Sequence, residues 1–248
     1  MTATLTTILG ARPAHSIDDV IALMTAIDAA LPDSDGVKWF NRLYLRVTEA
    51  VYTGAQIPTT FQDPAFLRRF DVVFANLYFD AASAGGVDPG RAPSAWRPLF
   101  QSRHDRGIAR LQFALAGMNA HINRDLASGI VDCYSEMGGA PAVTDVRHAD
   151  FELINGILER VEGEIKTEYT TGLVGEIDRL GGGLDDLAAM WKVRRARDLA
   201  WSNAELLWHL RPLPELKDKF FSQLDSFTGF AGRGLLKPTY LSSPSSSM

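Results

Sequence analysis

The chain has 248 residues, 46% of them hydrophobic and 22% charged, which is enough apolar material for a sizeable core. Twenty-five basic and 30 acidic side chains leave a formal charge of −5, which argues against broad binding to a phosphate backbone. One cysteine, Cys133, excludes an internal disulfide framework and any zinc site made of several thiolates. Residues Met1 to His15 lack the basic start and long apolar stretch of a secretory leader. No segment approaches the roughly 20 uninterrupted apolar residues that span a bilayer. The expectation is a soluble, cytoplasmic globular protein with no nucleic-acid partner and no membrane span, its oligomeric state unknown.

Helical spacing dominates from Ser16 onward. Ser16 and Asp19 resemble a capping box, and Ile17, Val20, Ile21, Met24 and Ile27 then recur on one side. A second helix carries Val37, Phe40, Leu43, Tyr44, Val47 and Val51. Asp63-Pro64 supplies an N-cap with proline at the first helical position, and the helix to about Ser83 is apolar nearly all round. Gly85 to Pro98 reads as a loop with Trp96 tucked inward. One long helix is expected from Leu99 to Ser135, stopped by Gly138-Gly139-Ala140-Pro141. A further helix follows a Thr144 or Asp145 cap, up to a Gly181-Gly182-Gly183 turn. Two more span about Asp185 to Leu210 and Pro214 to Phe227.

No period-2 strand series and no repeat of fixed length is found. The fold is therefore read as all-α, a single bundle of about seven or eight helices around a wrapped central one. Its expected limits are a flexible start at 1–15, a helical domain at 16–228 and an irregular, partly disordered tail at 229–248.

The central segment Leu111 to Leu126 carries polar groups in an apolar setting. Ile108, Leu111, Leu115, Met118, Ile122 and Leu126 form one stripe, flanked by Asn119 and His121, with Asp125 at its edge. His121 and Asp125 are one helical turn apart, so both side chains leave the same face. A buried carboxylate costs several kcal/mol unless it is paired, so a metal, an arginine or the imidazole has to compensate it. The pair is expected to open into a space in the middle of the protein.

A second polar set lies on the helix before Leu210, where Trp191, Arg194, Asp198, Trp201, Glu205, Trp208 and His209 share about a third of the circumference. Arg194 can pair with Asp198, and Glu205 with His209. Asp71 sits among aromatic residues with Tyr78 along the same face, and burial there would keep it protonated. Asn155 is the inward candidate of the stretch Asp150 to Asn155.

The stretches Phe70-Asp-Val-Val-Phe-Ala-Asn-Leu-Tyr-Phe79, Leu115-Ala-Gly-Met-Asn-Ala-His-Ile-Asn-Arg-Asp-Leu126, Asp150-Phe-Glu-Leu-Ile-Asn155 and Ala196-Arg-Asp-Leu-Ala-Trp201 resemble a bacterial family, domain of unknown function 5995. The resemblance covers about residues 15 to 228 and implies a helical fold, with no established reaction or ligand. A fainter likeness, to zinc-dependent phospholipase C and related helical nucleases, rests only on a helix bearing a His-x3-acid pair. Their additional histidines are missing.

Three functions follow from these residues. The first is an enzyme acting on a mostly apolar small molecule between helices, by cyclase, isomerase or hydrolase chemistry. Its catalytic candidates are His121, Asp125, Asn119 and Asp71, and its ligand-binding candidates Trp201, Trp208, Arg194, Tyr78 and Asn155. The second is a metal-dependent hydrolase or oxidase in which His121, Asp125, Glu205 and His209 hold a divalent ion. The third is a binding or scaffold protein whose inward polar groups specify packing.

Overall fold

The computed structural model describes residues 5–55, 60–171 and 193–238. Every regular element among them is a helix, so the architecture is all-α. A short helix α1 (Leu5–Ile8) runs into a 3-10 turn at Leu9–Ala11. Leu5, Leu9 and Ala14 are buried, and the Asn76 side chain bonds both the N–H and the carbonyl of Ala14, at 2.8 and 2.9 Å. The start expected to be flexible is thus tied down from Leu5 onward, while residues 1–4 lie outside the described residues.

Helix α2 (Ile17–Ala30) opens on the expected capping box, with Asp19 N–H donating to Ser16 Oγ and Ser16 N–H to Asp19 Oδ2. Helix α3 (Gly36–Ala55) starts after the buried Asp35, which accepts the Val37 N–H and pairs with Arg103. Helix α4 (Pro64–Val87) is capped by Asp63 and runs past Ser83 to Val87. Its apolar circumference is explained by neighbours on several sides: α1, α2, α3, α5, α7 and α8 all touch it.

The single helix expected at 99–135 is divided. It comprises α5 (Arg97–Ser102), α6 (Arg110–Ala120), a π turn (His121–Asp125) and α7 (Leu126–Met137). Asp105 draws the Gly107 N–H onto its side chain at 2.8 Å, and Gln112 accepts the Ala109 N–H at 2.9 Å, so chain between α5 and α6 turns instead of continuing helically. Helix α7 stops where Gly138 and Gly139 take φ of +83° and +90°, values that glycine reaches without the Cβ penalty.

Three helices complete the described fold: α8 (Val146–Thr171), α9 (Val193–His209) and α10 (Pro214–Leu235). Asp145 caps α8 by accepting the Arg147 N–H. The triple-glycine turn at 181–183, Trp191 and the first turns of the helix expected from Asp185 lie outside the described residues. Asp150, in the first turns of α8, links that helix to the chain before α4. It is fully buried and accepts the main-chain N–H groups of Gln62 and Asp63 at 2.9 and 2.7 Å, which fastens the approach to α4.

Helix α10 overruns the expected end at Phe227 and continues to Leu235, so the tail is helical up to that point; residues 239–248 lie outside the described residues. Gly229, the expected start of the irregular tail, is a contact point. A Cβ on Gly229 would collide with the Ser94 carbonyl oxygen. Asp225, one turn earlier, accepts the N–H groups of Ser94 and Ala95 at 2.9 and 3.0 Å. Gln112 reaches from α6 to the carbonyls of Leu235 and Lys237. The central helix is as enclosed as its composition implies: every residue from Leu111 to Gly117 is buried, and the Phe40 ring occupies the space a Cβ on Gly117 would need.

Gly229→Ala is therefore expected to destabilise by about 1–3 kcal/mol, because backbone has to move. Gly156→Ala, at an exposed α8 position with open space around it, should stabilise by about 0.5–1 kcal/mol through helix propensity. Urea unfolding of the two variants measures both, and equal effects would discredit the close-approach explanation.

Candidate functional site

The π turn sets the geometry of the polar centre. Leu126 N–H reaches back five residues to the His121 carbonyl, inserting one extra residue into the helical path. Asp125 is thereby turned inward and sealed, with 0% exposure. Its Oδ2 accepts Trp96 Nε1–H at 2.8 Å and lies 3.0 Å from His121 Nδ1, while Arg124 pairs with Oδ1. Arg124 also lies 2.8 Å from Asp225, so the carboxylate that holds Ser94 and Ala95 is tied to the same cluster.

A carboxylate only accepts, so His121 Nδ1 carries the hydrogen and Nε2 presents a lone pair in the neutral ring. The ring is stacked on Phe74 at 3.6 Å with 7° between planes, and Tyr44 meets it edge-on at 4.6 Å. Burial in this aromatic box pushes the imidazole pKa below its ordinary value, more than the hydrogen bond to Asp125 raises it. His121 is 2% exposed and its Nε2 has no hydrogen-bond partner among the described residues. A buried polar atom left in that state calls for an explanation.

His121 lines a narrow cavity that leaves about 70 Å³ for the centres of water-sized molecules. That is room for several waters, each needing about 10–15 Å³ on this measure. The cavity sits at the seam between two apolar clusters, one represented by Phe40, Leu43 and Val51, the other by Phe70, Phe74 and Leu126. Asp71 and Arg197 face it from α4 and α9. Desolvation pushes the Asp71 carboxyl up to about 7, although the Arg197 charge pulls the other way. The Asp71 carboxyl makes no hydrogen bond among the described residues. Arg197, lowered by burial to about 10, donates to Asn155 Oδ1 at 2.7 Å and to the Phe151 carbonyl at 2.6 Å.

Of the residues singled out in the sequence, His121 and Asp71 line this cavity and Asp125 bonds His121 from behind it. The expectation that the imidazole and Asp125 open together into one space is corrected: the π turn faces Asp125 toward Trp96 and Arg124. Asn119 lies elsewhere, bonding the Thr228 carbonyl at 2.9 Å and accepting from Asn123. Tyr78 is buried with its hydroxyl 3.3 Å from Asn41 Oδ1, and burial raises its phenol pKa. Asn155 supports Arg197 without lining the cavity.

On α9 the inward face is Val193, Arg197, Ala200, Trp201, Ala204 and Leu207, rotated from the face expected around Arg194, Asp198 and Glu205. Trp201 packs on Tyr134, His148 and Phe151, and Trp208 on Tyr134 and Arg211, away from His121. Arg194 is exposed and faces Glu152 at 3.5 Å instead of pairing with Asp198. His209 is exposed too, its Nδ1 bonded to the Glu205 carbonyl. The four metal candidates are therefore not brought together, and among the described residues no group of three or more His, Cys, Asp or Glu is placed to hold an ion.

Four contributors went unrecognised in the sequence: Trp96 as a donor to Asp125, Arg124, Tyr44 and Arg197. Arg197 had a signal, since it precedes the buried Trp201 by one turn; the i,i+4 pairing of Arg194 with Asp198 drew attention to the wrong side.

One of three comparisons with known proteins agrees with the resemblance read from the sequence. No curated protein matches the chain, and no solved structure matches it. The model of one family does, over residues 17–238. The chain belongs to that family, described as a family of unknown function (DUF5995).

Proposed function

We propose that this protein is an enzyme that relocates a proton on a small, mostly apolar molecule held in the His121 cavity. One observation supports it above the others: two ionisable groups without a hydrogen-bond partner among the described residues, His121 Nε2 and the Asp71 carboxyl, border one apolar cavity. Their environments push them toward complementary forms, a neutral imidazole and a protonated acid. His121 Nε2 takes a proton from substrate carbon or oxygen, and Asp71 delivers its own proton at a second atom. The product is an isomer, and the catalytic pair resets when the proton passes from His121 back to Asp71 through solvent. Asp125 is a positioning residue, fixing the tautomer of His121 by accepting from Nδ1. A role confined to packing accounts for Asp125, but leaves both cavity groups without partners among the described residues.

Enolisable small ketones such as cyclohexanone in D2O test the proposal through hydrogen–deuterium exchange followed by NMR. The wild type should accelerate exchange, and His121→Ala and Asp71→Asn should each reduce it about 100-fold or more. Activity should peak on the acid side of neutrality. It requires His121 deprotonated, giving a lower limb beneath the ordinary 6.5, and Asp71 protonated, giving an upper limb near 7. Exchange that is not accelerated, or is indifferent to both substitutions, defeats the assignment.

A stability measurement is independent of any substrate. The Asp71 pKa is raised from 3.8 to about 7 on folding, so its protonated form favours the native state. That contribution is full below pH 3.8, fades as pH rises and is gone above about 7, leaving a penalty for the buried charge. Asp71→Asn should therefore stabilise the protein on the order of 1–3 kcal/mol at pH 8 relative to pH 4. A pH-independent difference in melting would show that Asp71 is not desolvated.

A further inference from the structure

A larger chamber adjoins the His121 cavity, with about 500 Å³ for the centres of water-sized molecules between α6, α9 and α10. Leu115, Ala196, Ala231 and Leu235 give it mostly apolar walls, and Asn119 and Asn123, bonded to each other, are the polar residues on its lining. Met118 and Ile122 line both this chamber and the His121 cavity. They are four apart on the central helix, so they stack into one partition, and each is half-buried with space on either side. Methionine is an unbranched, adaptable side chain, so Met118 is the member of the partition able to change rotamer.

The walls also continue outward. Phe227 precedes Ala231 by four residues and Gly234 by seven, so the stripe of α10 that lines the chamber runs onto a phenylalanine that is 73% exposed. Phe230, 68% exposed, stands beside it. Two large exposed rings in register with an apolar chamber form an approach for an apolar chain. The inner end sets the head group. Arg197, which faces the inner cavity, already donates to Asn155 and the Phe151 carbonyl, so a charged head would give up its hydration there with no uncommitted counter-charge to meet it.

We propose that the chamber holds the hydrocarbon chain of an uncharged amphiphile, whose small polar head passes between Met118 and Ile122 to reach His121. The role of the head rests on the proton-transfer reading above, whereas the chain site stands on the chamber itself.

Primary alkanols from 1-butanol to 1-decanol are the probes, titrated into protein labelled with [13C-methyl]methionine and 15N-histidine. Affinity should tighten about fourfold for each added methylene until the chamber is filled. Met118 and His121 resonances should move together. Ala231→Trp and Ala196→Trp, on different helices and each checked by thermal melting, should weaken 1-decanol about tenfold or more, the equivalent of two buried methylenes. Affinity that is flat with chain length, or unaffected by both tryptophans, overturns the chain site. Decylammonium or decanoate binding more tightly than 1-decanol overturns the uncharged head. Intact decanol binding with ketone exchange that ignores His121 removes the reaction and keeps the chamber; the reverse result removes the chamber alone.

Discussion

A carboxylate placed at the centre of a helical protein must be surrounded by donors, and the arrangement around Asp125 follows from that requirement. Its desolvation costs several kcal/mol, offset by an indole N–H, an imidazole N–H and a guanidinium. These donors arrive from the lead into α5 and from the π turn itself, and Arg124 carries the connection onward to Asp225 on α10. Breaking the regular helix at 121–125 is the backbone expression of this cluster, since the extra residue lets carboxylate, imidazole and guanidinium serve one another. The orientation of His121, and hence which nitrogen carries a lone pair, is inherited from it.

The cavity beside His121 exists because two apolar clusters meet without interlocking. Phe74 and Tyr44 press on the imidazole from its sides, while Asp71 and Arg197 supply charge at the same seam. Desolvating Asp71 works against stability at neutral pH. Arg197 limits that cost, with its own hydrogen bonds taken by α8.

Local rules made much of this legible in the sequence. The Ser16–Asp19 box, the Asp63-Pro64 start, the glycine stop after α7 and the enclosure of Leu111 to Gly117 all depend on neighbours in the chain, and all are found. The apolar setting of His121, Asp125 and Asp71 was equally readable from periodicity. Long-range partners were not. Nothing near Asp125 in sequence announces Trp96, and glycines 229 and 232 look like helix breakers until Ser94 and Pro98 are seen against them. The π turn was hidden because a regular helical wheel has no place for an inserted residue. On α9, a rotation of the inward face replaced Arg194 with Arg197, since a local charge pair is easier to see than a contact made from another helix.

Two carboxylates, Asp150 and Asp225, grip main-chain amides: those of Gln62 and Asp63 in one case, those of Ser94 and Ala95 in the other. A peptide amide is common to every amino acid except proline. The clamps are therefore one-sided in their demands on heredity. The aspartates have to persist, whereas Gln62, Ser94 and Ala95 are free, as far as these bonds go, to drift through any identity that retains an N–H. Paired substitutions, the usual trace of two surfaces that touch, would leave no mark at these junctions.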